Sequence, residues 1–280
     1  METEEGSAMK YFNYISSNYD RVRGKEIFNS LLKTVKLFHI KDNDWILDVG
    51  TGTGLFSVLL AEHGFHIIGT DRNLQMLARA ISKRNNNDCN FEAVLGSAEQ
   101  LPFPSETFYL VISTNAIHHF DLHQHLKEVS RVLKTGGHYI IFSRFHEQNV
   151  RSIWGQDFPM FADKETRLYN PEDFRLLKKY FPELKLESIE ELTFEIPFSV
   201  DRLIYEAQQK KYSTFAFYSE DEFQQAFRQF RSNIIKRNDK LQIVKTGRVI
   251  FGKKLDNSMT EKNSQLNGLI NIAHHQFCKN

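Results

Sequence analysis

The sequence has few cysteines, no excess charge of either sign and no long apolar run. Its 280 residues contain two cysteines, Cys89 and Cys278, whose separation suggests neither a metal knuckle nor a disulfide framework. The N-terminal METEEGSAMK is acidic and lacks the apolar core of a signal peptide, and no segment approaches the roughly 18 apolar residues that span a bilayer. We therefore expect a cytoplasmic protein in a reducing environment, neither secreted nor membrane-spanning.

Positive and negative side chains nearly cancel. The chain has 36 Lys and Arg against 35 Asp and Glu, so it lacks the strong positive field that is typical of proteins that bind nucleic acids. Its length and its apolar content of 41% are sufficient for one large hydrophobic core or two smaller ones. These properties permit an enzyme-sized globular fold and indicate no particular polymer as a partner.

Short apolar runs and amphipathic runs alternate from Asp44 to Ser143. The apolar runs have the length of strands and the amphipathic runs have the spacing of helices. In chain order they are WILDV, LFSVLLAEH, HIIGT, NLQMLARAISKR, NFEAVLG, YLVIST, LHQHLKEVSRVL and HYIIFS. The strand candidates are apolar nearly throughout, as strands covered by helices on both faces must be. The repeated unit therefore predicts an α/β fold with a parallel, doubly wound sheet.

The alternation ends after Ser143. Asn170-Pro171 predicts the start of a helix, because proline suits a first turn. KLESIEELTFEIPF is compatible with a strand pair or one long bent strand, two helical stretches follow, and LQIVKTGRVIFGKK predicts a final strand or hairpin. Within the alternating region, KTGG at residues 134–137 is expected to close the helix that ends at Leu133, with glycine in the left-handed conformation.

Three glycines at alternate positions, Gly50, Gly52 and Gly54, follow the first strand candidate. Glycine permits a positive φ and lets a ligand approach the backbone where no Cβ stands in the way. At the end of the next strand candidate, Asp71 is placed to accept hydrogen bonds from ribose hydroxyls, although a helix N-cap is the alternative role. The turn and the carboxylate together predict a cofactor that contains adenosine, against the alternative of a tight turn without a ligand.

The register of the glycines distinguishes between adenosine cofactors. Dinucleotide sites follow the pattern G-x-G-x-x-G, but the position where that pattern needs its third glycine holds Leu55. This disfavours a nicotinamide-dependent dehydrogenase. A G-x-G-x-G turn preceded by the acidic Asp48 instead suits a ligand with a cationic amino acid in place of phosphates. S-adenosylmethionine is such a ligand.

With these motifs the sequence resembles the class I S-adenosylmethionine-dependent methyltransferases, especially the ubiquinone- and menaquinone-biosynthesis-like group, also called methyltransferase type 11. The similarity covers roughly residues 19–143. It implies a mostly parallel, seven-stranded, Rossmann-like methyltransferase fold with an added helical and aromatic region that covers the substrate. The implied parts are an N-terminal lid and helix at 1–40, a cofactor-binding core at 41–150, a substrate-side region with the last strands at 151–255, and a polar tail at 256–280.

The resemblance also implies roles for individual residues. The methionine part of S-adenosylmethionine would be bordered by Asp48, Gly50, Thr51 and Gly52. Asp71 would bind the ribose hydroxyls, and Arg72 and Met76 would flank the adenine. The stretch GSAEQLPF would add Ser97 and Ala98, with Ser97 in the place of the family's usual aspartate or as a simple turn residue. Asn115, in TNAIHH after the fourth strand, would face the methionine end.

The N-terminal aromatic segment is expected to pack over the cofactor as a lid, or to pack at the surface. In related enzymes such a segment shields the sulfonium, and an arginine in it can pair with a carboxylate. Tyr19 would belong to the cofactor site, and the other candidates in this segment are Tyr11, Tyr14, Arg21 and Arg23.

Methyl transfer places modest demands on the protein, because the leaving group departs neutral and alignment supplies most of the acceleration. If a base is used, His118 is the candidate, since it follows the fourth strand at the edge where such sheets bind ligands. The alternative is a histidine that packs in the loop. The run HHFDLHQH at 118–125 straddles a loop and a helix start, so its histidines are not expected to share a metal ion.

Several functional alternatives remain at this point. The stretch 228–254 is rich in Lys and Arg with Asp239 as its only acid, which keeps open an RNA-directed methyltransferase or an RNA-binding protein. A binding module without turnover is a further alternative. The prediction that we carry forward is methylation of a small molecule at oxygen, nitrogen or carbon by a monomer or homodimer.

Overall fold

A computed structural model describes residues 25–86 and 89–254. The strands are β1 Trp45–Val49, β2 His66–Asp71, β3 Phe91–Leu95, β4 Phe108–Thr114, β5 Leu133–Ser143, β6 Leu184–Pro197 and β7 Leu241–Lys253. The helices are α1 Lys25–Lys36, α2 Leu55–Glu62, α3 Leu74–Asn86, α4 Leu122–Val132, α5 His146–Val150, α6 Ile153–Asp157, α7 Phe161–Lys164, α8 Pro171–Leu177, α9 Val200–Gln208 and α10 Glu220–Lys236. Short 3₁₀ helices occupy Ile117–His119, Lys178–Tyr180 and Ser213–Phe217.

The strands form one seven-stranded sheet in the order β3-β2-β1-β4-β5-β7-β6. Strands β1 to β5 are parallel, whereas β7 is antiparallel to both of its neighbours, β5 and β6. The chain order reverses between β1 and β4, which is the switch point where open α/β sheets bind ligands. The predicted fold, a mostly parallel seven-stranded α/β sheet, is confirmed.

Both faces of the central strands are buried, which explains their nearly continuous apolar sequences. On β1, Ile46 packs against α1 and α2 on one face, and Leu47 packs against α4 on the other. The same alternation continues on β5, where Ile140 and Ile141 face opposite clusters. Burial on both sides holds the carboxyl ends of β1, β2 and β4 at one edge of the sheet.

The expected helix closure by the KTGG run is wrong. Helix α4 ends at Val132 and β5 begins directly at Leu133, so the run lies inside the strand. The pairing of β5 with β4 shifts between Phe108 and Leu110, where the additional residues bulge out. Gly136 does adopt a positive φ of 78°, but the bulge in the strand requires it there, not the end of a helix.

In the second half of the chain, β6 and β7 extend past the rest of the sheet. KLESIEELTFEIPF forms one long strand, and its last part pairs with β7 from Leu241 to Thr246, beyond the end of β5. Helices α6, α7, α9 and α10 surround an aromatic cluster centred on Trp154 and Phe158. Met76 of α3 joins this cluster, so the helices contact the sheet layer beside its carboxyl edge.

Among the described residues, no helix has the length and apolar character to cross a membrane. The tail from residue 255 onward and the N-terminal lid candidates, Tyr11, Tyr14, Tyr19, Arg21 and Arg23, lie outside the described residues.

Candidate functional site

The glycine turn lies between β1 and α2 at the carboxyl edge. The backbone N–H groups of Gly50 and Thr51 donate to the carbonyl oxygen of Thr70 at 2.8 and 3.0 Å, which joins the turn to β2. Gly52 has a φ of 56°, and a Cβ placed there would meet no described heavy atom within 4 Å. A Cβ on Gly50, by contrast, would lie 2.5 Å from the Cβ of Ala116. Gly52 is therefore the glycine whose missing side chain opens space for a ligand.

Asp71 links the end of β2 to this turn. Its Oδ2 atom accepts a hydrogen bond from the backbone N–H of Gly52 at 2.8 Å, and its Oδ1 atom accepts one from Asn73 at 2.8 Å. Burial raises the pKa of Asp71, while the two backbone hydrogen bonds and Arg72 oppose that rise. The carboxylate of Asp71 also lines the cavity above the turn, where a carboxylate oxygen can accept a hydrogen bond from a ligand hydroxyl.

Asp48 lies beneath the turn and does not line the cavity above it. Its Oδ2 atom accepts a hydrogen bond from the Ser57 hydroxyl at 2.5 Å, and Ser57 is 2.7 Å from the Thr51 hydroxyl. Oδ1 is buried and has no hydrogen-bond partner among the described residues. Burial raises the pKa of Asp48 to about 6, against the lowering effect of the hydroxyls. Asp48 thus supports the turn from below and places a negative charge under it.

A first cavity opens above the turn, with a volume of about 930 Å³ that includes the solvent at its mouth. Eight of the predicted cofactor residues line it: Gly50, Thr51, Gly52, Asp71, Arg72, Met76, Ala98 and Asn115. Residues that the sequence analysis did not assign also line it, among them Leu55, Phe56, Asn73, Glu99, His119 and Phe120. The cavity therefore combines an acidic group at Asp71, an open backbone at Gly52 and apolar walls.

Ser97 is not among the residues that line this cavity. Its hydroxyl donates to the carboxylate of Glu99 and accepts from the Glu99 backbone N–H at 3.3 Å. Ser97 therefore acts as a turn residue, the alternative left open in the sequence. The carboxylate of Glu99, which lines the cavity, accepts the backbone N–H of Asp121 at 3.0 Å. The spacing of the motif gave no signal for this neighbouring acid.

A second cavity adjoins the first and has a volume of about 1430 Å³, again including open solvent. Asn115 lines both cavities. Its φ is 53°, and its backbone N–H donates to the carbonyl oxygen of Phe142 at 2.7 Å. Asparagine tolerates this left-handed conformation better than most residues do. The strained turn places Asn115 at the junction of the two spaces.

The adjacent histidines separate at this junction. His118 lines the second cavity and His119 lines the first, and their rings are 4.1 Å apart. Arg167 donates to Nδ1 of His119 at 3.1 Å and is itself held by Glu165 through contacts of 2.6 and 2.9 Å. Burial, followed by the nearby positive charges, lowers the pKa of His119 well below its usual value. His119 is therefore a neutral ring whose proton lies on Nε2.

The other histidines of the run point elsewhere. His125 is buried between α4 and β5, where its ring nitrogens contact the Tyr139 hydroxyl at 2.7 Å and the carbonyl of Ala98 at 3.0 Å. His123 packs against Tyr180 and Phe181. Within residues 25–86 and 89–254, no group of three or more His, Cys, Asp or Glu side chains is arranged to hold a metal ion.

Four of the nine Lys and Arg residues in the basic stretch 228–254 form ion pairs with acids among the described residues. Arg237 contacts Asp157 and Asp239, and three further cations on β7 contact acidic side chains of neighbouring elements: Lys245 with Glu191, Arg248 with Glu190, and Lys253 with Glu106. Ion pairs of this kind reduce the positive field that would attract a phosphate backbone.

Comparison with known proteins shows that the part of the chain that forms β1 to β5 is similar to a known family. Residues 47–141 match the family model described as a methyltransferase domain. A demethylmenaquinone methyltransferase from Listeria welshimeri is 35% identical over 145 residues, which cover 49% of this chain and 61% of that protein. An uncharacterised methyltransferase from Bacillus subtilis, YcgJ, is 28% identical over 135 residues, or 46% of this chain and 53% of that protein. The chain thus spans less than two thirds of the length of these curated relatives.

Solved structures share the fold. A putative methyltransferase from an antibiotic biosynthesis pathway of Anabaena variabilis matches with a TM-score of 0.64 at 19% identity, over 84% of this chain and all of that one. The sheet order, the glycine turn and the family match agree with one another. At residues 47–141 the chain is therefore similar to the methyltransferase domain family.

Proposed function

We propose that this chain is an S-adenosylmethionine-dependent methyltransferase that binds its cofactor in the first cavity and a small-molecule acceptor in the second. The observation that carries the proposal is the position of Asn115, which lines both cavities at the carboxyl edge of the sheet. A cofactor over the glycine turn and an acceptor in the second cavity would meet at this residue. Such a meeting point is what transfer between two bound molecules requires.

The residues of the first cavity fit this cofactor. The open space at Gly52 accommodates a ligand that lies directly on the backbone, where any side chain would intrude. Asp71 lines the cavity beside the turn, and its carboxylate is a suitable acceptor for ribose hydroxyls. The carboxylates of Asp71 and Asp48 favour a positive charge at the turn, whereas a pyrophosphate would be repelled.

Bound S-adenosylmethionine supplies a methyl group on a sulfonium sulfur, which leaves as a neutral thioether. The protein then has to align the acceptor and exclude water, and alignment can contribute about 7 to 11 kcal/mol. His118 is the proposed proton acceptor, and its place in the lining of the second cavity supports this role. The neutral ring of His119, fixed by Arg167, is proposed to act as a hydrogen-bond donor at the junction.

The Listeria relative is named for methylation of demethylmenaquinone, and we propose a small-molecule acceptor for this chain as well. The second cavity, with about 1430 Å³ including open solvent, is large enough to hold a small molecule. The pairing of Lys245, Arg248 and Lys253 on β7 with acids disfavours RNA as the acceptor.

Isothermal titration calorimetry tests the cofactor assignment. We expect S-adenosylmethionine and S-adenosylhomocysteine to bind the full chain, and NAD not to bind. Asp71→Ala should weaken S-adenosylhomocysteine at least tenfold, since it removes the acceptor for both ribose hydroxyls. Asp42→Ala, at an exposed carboxylate in the loop before β1, should leave the affinity unchanged. No affinity of the wild-type chain for either sulfur compound would overturn the proposed function.

The role of His118 is tested by single-turnover rates once an acceptor has been found. Loss of a general base typically costs about 10²- to 10⁴-fold, so His118→Ala should slow transfer by that range while cofactor affinity stays constant. His123→Ala, away from both cavities, is the control. A His118→Ala protein that turns over at the wild-type rate would refute the base and leave the transferase assignment standing.

A further inference from the structure

The second cavity has two chemically different parts. One wall is apolar and is formed by side chains from α7, β6, β7 and the segment between α7 and α8, namely Phe161, Leu168, Phe194, Ile196 and Val244. The lining also carries three cationic side chains, Arg144, Arg202 and Lys211. A ligand that fills such a space needs an apolar body and a polar end.

The hydrogen-bond and ring partners of Arg144 in this cavity are neutral, although its charge also interacts with the carboxyl group of Glu206. It follows the carboxyl end of β5, its Nη1 atom donates to Oδ1 of Asn149 at 3.3 Å, and its guanidinium lies 5.6 Å from the centre of the Tyr212 ring. Arg167, by comparison, is neutralised by the bidentate carboxylate of Glu165. A guanidinium that faces a cavity with neutral partners favours the entry of an anion.

Arg202 is also incompletely paired. Its Nη2 atom donates to Oε1 of Gln242 at 2.6 Å, whereas its Nε atom is buried without a hydrogen bond and lies 3.6 Å from the carboxylate of Glu206. That contact exceeds hydrogen-bonding distance. Arg202, which lines the cavity, is thus not fully satisfied by its partners among the described residues.

Burial and the neighbouring positive side chains have opposite effects on the pKa of Glu206. Burial raises the pKa of Glu206 to about 7, and the positive charges of Arg202, Lys211 and Arg144 oppose that rise. The other acids of the lining are Glu26 and Glu165, and Arg167 neutralises Glu165. When Glu206 takes up a proton, a negative charge beside Arg144 and Arg202 disappears, and this part of the lining becomes more positive.

On the basis of the proposed methyltransferase function, we propose that the acceptor is a small amphipathic anion whose carboxylate or phosphate group pairs with Arg144 and Arg202. Its apolar body lies against Phe161, Phe194 and Ile196. Because the carbonyl of Phe142, two residues before Arg144, accepts the backbone N–H of Asn115, an anion held by Arg144 stays beside the junction with the first cavity.

Calorimetry on the full chain with matched probes tests this inference. The probes are 3-phenylpropionate, its neutral counterpart 3-phenylpropanamide, and phenyl phosphate, each titrated with and without S-adenosylhomocysteine. We expect the carboxylate to bind at least tenfold more tightly than the amide. The ratio of the affinities for carboxylate and phosphate identifies which anionic group the site prefers. Equal affinities for acid and amide, or no binding of either anion, would overturn the inference.

Variants locate the anion. Arg144→Gln and Arg202→Gln should each weaken binding of the preferred anion at least fivefold, whereas Arg175→Gln, an exposed residue on α8 paired with Glu172, should have no effect. Glu206→Gln should strengthen binding several-fold at pH 8, where wild-type Glu206 is ionised and repels the anion. A gain of affinity cannot result from misfolding. Unchanged affinity in all three cavity variants contradicts the subsite.

The experiments distinguish failure of the proposed methyltransferase function from failure of the proposed anion subsite. Affinity for S-adenosylhomocysteine alone reports on the first cavity, and the preference for anion over amide, measured without cofactor, reports on the second. Binding of the anion by a chain that does not bind the sulfur compound would retain the subsite and reject the transferase. The reverse result would retain the transferase and assign it a neutral acceptor.

Discussion

At the scale of single residues, Asp48 is a carboxylate that the fold stabilises only in part. It is 2% exposed, one of its oxygens is hydrogen-bonded to Ser57, and the other is buried and has no partner among the described residues. An uncompensated buried charge destabilises a protein. We interpret this cost as the consequence of keeping a negative charge beneath a turn that is proposed to hold a cationic ligand.

The pH dependence of stability follows from the raised pKa of Asp48. Between its unfolded value of 3.8 and about 6, only the folded state retains the proton, so the free energy of unfolding falls as pH rises through this interval. The difference amounts to about 3 kcal/mol. Asp48→Asn should therefore be more stable than wild type by about 1 to 3 kcal/mol at pH 7.5, and the gain should shrink toward pH 4.

Urea unfolding at both pH values measures the effect of Asp48→Asn. Asp42→Asn, at an exposed position, serves as the control and should follow the wild-type curve. Parallel pH profiles for wild type and Asp48→Asn would contradict the buried-charge explanation.

Gly52 and Gly64 have similar backbone conformations, so alanine substitutions at the two positions can distinguish an effect on ligand affinity from an effect on stability. Gly52 and Gly64 have φ values of 56° and 91°, and a Cβ on either would meet no described atom within 4 Å. Alanine at each should cost about 1 to 2 kcal/mol of stability from the left-handed backbone. Only Gly52→Ala should also reduce affinity for S-adenosylhomocysteine, by at least tenfold, because only Gly52 lines the first cavity.

Thermal unfolding and calorimetry on the same samples distinguish these effects. The explanation would be wrong if Gly64→Ala lost affinity as well, or if Gly52→Ala lost stability and kept its affinity.

At the scale of elements, the long pair β6–β7 depends on close packing against the segment after β5. A Cβ on Gly247 of β7 would lie 2.2 to 2.5 Å from the ring of Phe145, which is 5% exposed. A Cβ on Gly252 of the same strand would contact the Glu187 carboxylate at 2.6 Å, the far end of a flexible side chain. The first contact cannot relax without moving the core, whereas the second can.

Gly247→Ala is therefore expected to destabilise the protein by about 1 to 3 kcal/mol through overpacking. Gly252→Ala should change stability by less than about 0.5 kcal/mol. Chemical denaturation of both variants checks the prediction, and equal losses would show that the Phe145 contact is not the cause.

At the scale of the whole molecule, the helices after β5 form a separate hydrophobic cluster, and this cluster contacts the lining of the first cavity. Trp154 is 1% exposed and stacks on Phe230, with ring centres 5.1 Å apart. Met76, which lines the first cavity, belongs to the same cluster. The packing of the helical cover and the shape of the cofactor cavity are thus physically connected.

Trp154→Ala should lower the free energy of unfolding by about 3 to 5 kcal/mol, as expected for loss of a large buried ring. Trp154→Phe should cost less, because part of the ring contact remains. Calorimetric unfolding with and without S-adenosylhomocysteine measures both changes. A Trp154→Ala protein of wild-type stability would show that the helical cluster contributes little to the fold.

The strand–helix alternation, the glycine turn and the position of Asp71 could all be predicted, because each depends on residues that are close in the chain. Local periodicity determines which segments become buried parallel strands, and the turn chemistry follows from glycine itself. The same local reasoning failed at the KTGG run, where pairing with β4 draws the glycines into a strand bulge.

Only the tertiary structure decided which side chains share the second cavity. Arg144 follows the end of β5, and Arg202 and Glu206 lie on α9. Their spacing in the sequence does not predict that they line the same cavity. The tertiary structure also separated His118 from His119 and joined the latter to Arg167, 48 residues away. Contacts between distant segments arise from the packing of whole layers, and the periodicity of a single segment carries no information about them.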